Sequence, residues 1–357
     1  MRSYASARQL KFRGLTSSIF AAYFPGPVCS ARFRCMTRTL NFGILGCARI
    51  VRRALIGAFR HTPNARLTAI ASRDGATARA WAAELGIPTA HDSYESLLAD
   101  PAIDAVYIPL PNELHKPWVF AAAAAGKHIL CEKPLAINAG EAQQMVDECQ
   151  RRGVLLMEAF MWRHQPRVAR ARQMLASGTL GELRLVKMDF SFDIDRSDWR
   201  LDPDRGGGAI YDLGCYGINA ARLFAGAEPV EVLAYANIYK PGVDISLGML
   251  LRFPNQVTAL LDCSFECTNR NRIEIVGTKG ALELPDGVLP LADSGLVYRH
   301  GDAVEQIQLA PADQYAGEIE TLCASVASGQ LLDPAENGLA NMRVIDAVRR
   351  AAGLAQS

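Results

Sequence analysis

Lys133, Asp212 and Tyr216 are the side chains in this 357-residue chain with the chemistry to move a proton at an alcohol carbon. Oxidation of a carbinol by hydride transfer needs a proton acceptor at the oxygen. Lysine and tyrosine can share that work, because a nearby ammonium favours the phenolate while desolvation lowers the lysine pKa. Lys133 follows the apolar run Lys127-His128-Ile129-Leu130-Cys131, which reads as a strand ending in Glu132-Lys133-Pro134. Open α/β sheets bind their ligands at that edge. Asp212 and Tyr216 lie four apart on the helix expected after Gly206-Gly207-Gly208, so both project from one face. Taken singly, a strand-end lysine is usually a surface charge, and an Asp–Tyr pair is usually structural.

The element that must position this chemistry begins with Leu40-Asn41-Phe42-Gly43-Ile44-Leu45-Gly46-Cys47-Ala48-Arg49-Ile50. An apolar run leads through Gly43, Gly46 and Ala48 into a helical pattern with Ile50, Ala54, Leu55 and Phe59. In a dinucleotide-binding unit the first Gly permits the turn and the second lets backbone approach a pyrophosphate. The third small residue lets helix and strand pack, and the helix N-terminus faces the phosphates. The G-x-x-G-x-A spacing equally describes an ordinary β-turn-α. The next strand, 66–71, ends in Ser72-Arg73-Asp74, where NAD-binding units place an acid for the ribose hydroxyls. Ser72 and Arg73 suit a 2′-phosphate instead, since a guanidinium offers a charged planar fork. A solvated arginine is the commoner fate of such a residue, and Asp74 keeps NAD open.

Helix and strand alternate onward to residue 158. Helices are expected at 76–85, 93–98, 117–126 and 141–150, with strands at 103–108, 127–131 and 154–157. Asn112 can cap a helix starting near Glu113, and His115 falls within its first turn. A partly buried structural histidine is the commoner role for such a residue. This alternation calls for a doubly wound parallel sheet. Beyond 158 the grammar changes. Helices are expected at 167–176 and 209–224, then strands in succession at 230–238, 245–253, 257–265, 272–276 and 281–284, after an earlier one at 183–192. Two helices close the chain, 312–328 and 335–352. The second half therefore reads as an α+β domain on one large, open, mostly antiparallel sheet. Val257, Ala259 and Leu261 suggest an apolar outer face that needs a cover, most simply a second subunit.

Composition excludes several classes. The formal net charge of +1 gives no footing for nucleic acid or an anionic membrane as the main partner. No apolar run reaches the roughly 18 residues that span a bilayer. The nine cysteines lack any C-x-x-C pair, so reduced thiols in a cytoplasmic protein are expected, with neither disulfides nor a metal site. Residues 1–35 carry Arg2, Arg8, Lys11, Arg13, Arg32 and Arg34 and no acid. They read either as an organelle transit sequence or as upstream sequence before a start at Met36, with the second preferred. The expected division is a disordered or mis-started extension over 1–37, a Rossmann domain over 38–158 and an α+β domain over 159–357.

Taken together, Gly43-x-x-Gly46-x-Ala48, Pro111-Asn112-x-x-His115, Gly126 to Pro134 and Gly206-Gly207-Gly208-x-x-x-Asp212-x-Gly214-x-Tyr216 resemble the Gfo/Idh/MocA oxidoreductase family over about residues 38–355. Met157 to Arg163 and Trp199 to Pro203 resemble its branch of NADP-dependent D-xylose dehydrogenases, dimeric dihydrodiol dehydrogenases and glucose-fructose oxidoreductase. The resemblance implies Lys133 as acid/base or activator, Tyr216 as proton donor and Asp212 as a substrate-orienting group. It implies cofactor contacts from Gly43, Gly46, Ala48, Arg49, Ile50, Ser72, Arg73, Pro109, Asn112, His115, Glu132 and Lys133. Asn112 and His115 would line the nicotinamide end. A cis bond before Pro134 and dimerisation through the open sheet are implied as well. Residues 1–35 lack the apolar core of an export signal, which sets aside a periplasmic form.

The reaction so implied is NADP(H)-dependent hydride exchange with a sugar or polyol CH–OH group, such as the anomeric hydroxyl of an aldose. Trp162, Arg163, Trp199 and Arg200 are candidates for the sugar pocket, with packing as their equal alternative. Two other readings stand beside it: an NAD-dependent inositol or polyol dehydrogenase, and a dinucleotide-binding sensor without turnover.

Overall fold

The computed structural model describes residues 10–11, 38–291 and 293–354. The expectations placed on residues 1–35 lie outside that range, apart from the two-residue strand β1 (Leu10–Lys11), which pairs in the second of two sheets. Chain contacts divide the described residues into two compact units. One takes residues 38–164 and 312–339, and the other takes 10–11, 165–311 and 340–354. No helix among the described residues is long and apolar enough to cross a membrane.

The first unit alternates strand and helix. In order they are β2 (Leu40–Leu45), a π-helical turn Val51–Leu55 running into α1 (Ile56–His61), β3 (Ala65–Ala71), α2 (Gly75–Leu85), β4 (Thr89–His91), α3 (Tyr94–Leu98), β5 (Ala105–Ile108), α4 (His115–Ala124), β6 (His128–Glu132), α5 (Ala139–Arg152) and β7 (Leu156–Ala159). The six strands pair in the order β4-β3-β2-β5-β6-β7, all parallel. Chain order reverses at β2, which lies between β3 and β5, and such a reversal opens a ligand crevice at the strands' carboxyl ends. Phe42, Ile44, Ile70, Tyr107 and Leu130 are wholly buried, as a sheet covered on both faces requires.

The second unit holds α6 (Pro166–Ala176), β8 (Leu183–Ser191), a π-helical turn Ile210–Gly214 leading into α7 (Cys215–Ala225), and then β9 (Glu231–Lys240), β10 (Val243–Arg252), β11 (Thr258–Ser264), β12 (Arg270–Gly277), β13 (Ala281–Pro285), β14 (Leu296–His300) and β15 (Ala303–Ile307). Its nine-stranded sheet runs β1-β9-β10-β11-β8-β12-β13-β14-β15. Neighbours are antiparallel except β8 and β11, which are parallel. Consecutive strands thus form two meanders, and the earlier β8 joins them edge to edge.

Two expectations need correction. The terminal helices are α8 (Gln314–Ser328) and α9 (Ala335–Ala351). Ile319, Leu322 and Cys323 of α8 belong to the core of the first unit, so contacts do not divide the chain by a single cut after residue 158. Val257, Ala259 and Leu261 do not form the outer face of the sheet. All three are buried, and the Cβ that Gly217 of α7 lacks would stand 3.5 Å from Leu261 Cδ2. Strand side chains alternate with period two, so the outward set is the other one, with Leu260 and Tyr235 exposed. Cross-strand pairs Lys187–Glu274 at 3.1 Å and Arg272–Asp189 at 3.3 Å flank it with charge.

Candidate nucleotide and proton-transfer site

The loop after β2 has the shape that the backbone of a phosphate-binding turn needs. Gly46 takes φ +114°, a conformation suited to glycine, and an added Cβ would come within 2.8 Å of Leu110 Cδ2. Its amide donates to Ala71 O at 2.9 Å, which ties the turn to the end of β3. Gly43 does not make the turn. It lies inside β2, where an added Cβ would stand 2.6 Å from Leu97 Cδ2, so it serves close packing against α3. Ala48, Arg49 and Ile50 open the helical run 49–61, and Val51 N–H donates back to Ala48 O at 3.0 Å. The positive end of that helix faces the turn.

At the end of β3 the three polar residues divide their labour. Asp74 caps α2: its carboxylate accepts from Ala76 N at 3.0 Å, Thr77 N at 3.3 Å and the Thr77 hydroxyl at 2.5 Å. Those bonds, the Thr77 hydroxyl first, hold its carboxyl below the ordinary carboxylate value. Asp74 is thus engaged in its own helix start. Ser72 Oγ accepts from Asp74 N at 3.2 Å, and Arg73 is exposed. Tyr94, which the sequence did not single out, meets Arg73 through its hydroxyl and packs edge-on against Trp118 at 4.7 Å. A serine, an arginine and a tyrosine beside the glycine turn, with the neighbouring acid turned away, fit a dinucleotide bearing a 2′-phosphate.

The Lys133 end of the sheet is braced from three sides. The Tyr107 hydroxyl donates to Glu132, and the Leu135 amide donates to Glu158 at 2.7 Å. His115 faces Pro134 O at 3.0 Å through Nδ1 and Leu110 O at 2.8 Å through Nε2. The Lys133–Pro134 bond is cis, as the resemblance implied. Behind Glu132 lies Glu318 of α8, wholly buried, whose pKa is raised well above the usual range by burial and then by Glu132. Burial and Glu132 likewise raise the Tyr107 phenol.

Here too the structure corrects the sequence reading. His115 is 0 % exposed with both ring nitrogens on backbone carbonyls, so it positions the Lys133 loop and does not line the nicotinamide end. Asn112 lies in a 3₁₀ turn (Asn112–Leu114) and caps no helix. Asn112 and Pro109 are buried, Glu132 and Lys133 half-buried. Trp162 is fully buried, so its role is packing. Arg163 pairs with Asp333 at 2.9 Å instead of offering a free fork. Tyr107 and Glu158 were missed as bracing groups because their partners are remote in sequence.

In the second unit, the helical run 209–225 carries Asp212 in its π-helical first turn and Tyr216 in α7. The ring of Tyr216 packs edge-on against Phe190 of β8 at 5.8 Å. Asp212 pairs with Arg200 Nε at 3.0 Å, and Arg200 also meets Asp198 at 3.2 Å. The Arg200 guanidinium lies 4.8 Å from the half-buried Trp199 ring. Asp212 foremost, and then Asp198, raise the Arg200 pKa above its ordinary value. Arg200 is thereby a support for Asp212 before it is a sugar ligand.

Comparison with known proteins places these features. Residues 40–160 match a family model described as oxidoreductase family, NAD-binding Rossmann fold, and residues 168–283 match the GFO/IDH/MocA C-terminal domain. The chain is 41% identical over 319 residues to D-xylose 1-dehydrogenase (NADP(+)) 2 of Haloferax volcanii, covering 88% of this chain and 97% of that protein. It is 36% identical over 220 residues to trans-1,2-dihydrobenzene-1,2-diol dehydrogenase of Mus musculus, covering 61% and 66% respectively. The structure of aldose-aldose oxidoreductase from Caulobacter crescentus, complexed with glycerol, superposes with a TM-score of 0.83 at 30% identity, covering 88% of this chain and 98% of that one.

Proposed function

The chain belongs to the GFO/IDH/MocA family of oxidoreductases, and on that premise we propose that it is an NADP(H)-dependent dehydrogenase of sugar or polyol CH–OH groups. The observation that carries the cofactor choice is the engagement of Asp74 as the cap of α2 while Arg73 stays exposed. The 41% identity to an NADP-dependent D-xylose dehydrogenase supports an aldose as substrate, oxidised at the anomeric carbon.

In this reading each unit holds one part of the chemistry. Ser72, Arg73 and Tyr94 take the 2′-phosphate, and the Gly46 turn with the helix opening at Arg49 takes the pyrophosphate. Bound NADP+ supplies the hydride acceptor. Tyr216 accepts the carbinol proton as the adjoining carbon gives up hydride, and Lys133 takes the acid/base or activating role that the resemblance implies. Asp212, held by Arg200, orients the sugar hydroxyls. The buried braces Tyr107, His115 and Glu158 keep the Lys133 loop in place. The same reading gives residues 38–158 to the nucleotide and most of 159–357 to substrate and assembly.

It also extends to a homodimer through the outward sheet face, where Tyr235 and Leu260 are large and exposed, and to the cytoplasm, where the unbridged thiols of the described residues stay reduced. The test is to mix purified protein with NADP+ or NAD+ and a panel of aldoses, diols and inositols and follow the absorbance of reduced nicotinamide. Reduction of NADP+ with an aldose is the expected result. Turnover only with NAD+ and an inositol, or none with any member, would replace this reading.

A further inference from the structure

Asp244 of β10 is wholly buried, and no step proposed above uses it. Its Oδ2 accepts from the Ile210 amide at 2.8 Å, and the amides of Ala209 and of Asp244 itself also face the carboxylate. Ala209 and Ile210 open the helical run 209–225 that carries Asp212 and Tyr216. The first amides of a helix have no partner within it and carry its positive end. No side chain of the adjoining residues caps this helix. The acid comes instead from a strand 34 positions onward. Gly208, at φ +131°, leaves room for it, because a Cβ there would collide with Asp244 Oδ1.

We propose that Asp244, as a carboxylate, is a positioning residue that anchors the start of this helix to the sheet and so sets where Asp212 and Tyr216 stand. The functional part of the inference rests on the catalytic reading of those two residues. Around the carboxylate lie the Arg349 guanidinium from α9, the Cys263 thiol from β11 and the helix amides. Burial raises the Asp244 pKa to about 6, against the pull of the Ile210 amide and Arg349. The thiol is itself pushed up, first by burial and then by Asp244, and stays neutral. The anchor therefore loses its charge as pH falls through about 6.

The experiment compares the wild type with D244N, using D-xylose and NADP+ as probes, and follows amide hydrogen exchange over residues 209–216 on both sides of pH 6. Expected for D244N are a kcat lower by about tenfold or more, an unchanged KM for NADP+, and loss of the acid limb of the pH–rate profile. Protection from exchange over 209–216, taken relative to the unfolded chain at the same pH, should fall in the wild type below about pH 6 and be low and independent of pH in D244N. Wild-type exchange that ignores pH 6, or a D244N profile that keeps its acid limb, overturns the proposal. If exchange behaves as expected but Tyr216→Phe retains full activity, the anchor stands and the catalytic reading falls. Should D244N fail to fold, Arg349→Gln serves in its place: removing the cation should move the exchange transition to higher pH, and an unmoved transition overturns the proposal.

Discussion

His115 stands with Nδ1 3.0 Å from the carbonyl oxygen of Pro134, the residue after Lys133, while its Nε2 reaches Leu110 O at 2.8 Å. One buried ring thus spans the end of β5 and the Lys133 loop. A neutral imidazole donates through one nitrogen only, so the ring is held chiefly by its enclosure. His115→Ala should cost about 2 kcal/mol or more, because it leaves buried carbonyls facing a void. It should also lower kcat through the displaced loop. Urea denaturation and steady-state kinetics measure the two effects.

The same residue sets a pH dependence. Burial lowers its pKa below the ordinary 6.5, so just below that pH the folded chain binds fewer protons than the unfolded one. Stability should therefore decline as pH falls below about 6.5, and part of that slope should vanish in His115→Ala. Midpoints of urea unfolding across the range give the slope for each protein, and equal slopes would deny the contribution.

Arg73 and Asp74 are adjacent in sequence and opposed in role. Arg73→Ala should raise KM for NADP+ by about 10- to 100-fold, the worth of a charge-assisted contact, and leave NAD+ nearly untouched. Asp74→Ala should lower the urea midpoint of unfolding through the lost cap of α2, with the ratio of NADP+ to NAD+ use unchanged. A selective loss of NAD+ activity in Asp74→Ala would instead give that acid to the ribose.

Lys133→Ala should reduce turnover by about 10²- to 10⁴-fold while leaving NADPH affinity nearly intact. Fluorescence titration of the reduced cofactor separates the two quantities. Wild-type turnover in the variant removes the assignment.

Asp244 trades stability for position. Because its folded pKa is raised from 3.8 to about 6, the folded chain binds more protons than the unfolded one between those values. Stability from this group is present at low pH and is lost as pH rises through about 6. A shift of about two pH units corresponds to about 3 kcal/mol. D244N should accordingly be at least as stable as the wild type at neutral pH and lose that advantage below about pH 4. Thermal unfolding at the two pH values checks the sign. Such a gain beside a lost kcat is the pattern expected of a strained functional group.

Much of the scaffold was legible because local signals carry it. The alternation of β2 to β7 with helices is written in periodicities that act within a few residues of themselves, whereas the Asn138 cap and Gly153 stop that set the ends of α5 went unread. The hairpin of β14 and β15 escaped notice because Arg299, His300, Glu305 and Gln306 dilute its apolar pattern. The parallel pairing of β8 with β11 was invisible for another reason: strands 60 or more residues apart leave no turn between them to read.

What the sequence alone determined was the kind of molecule: a parallel α/β half, an open-sheet half, and the types of residue able to bind a nucleotide and move a proton. What only the tertiary structure decided was the employment of those residues. Asp74 is taken by its own helix, His115 by two carbonyls, Arg163 by Asp333, and the face of β11 runs opposite to the expected one. The reason is physical. Periodicity and capping are short-range and written in neighbouring residues, whereas a buried polar group must take whichever partner the packed chain brings to it.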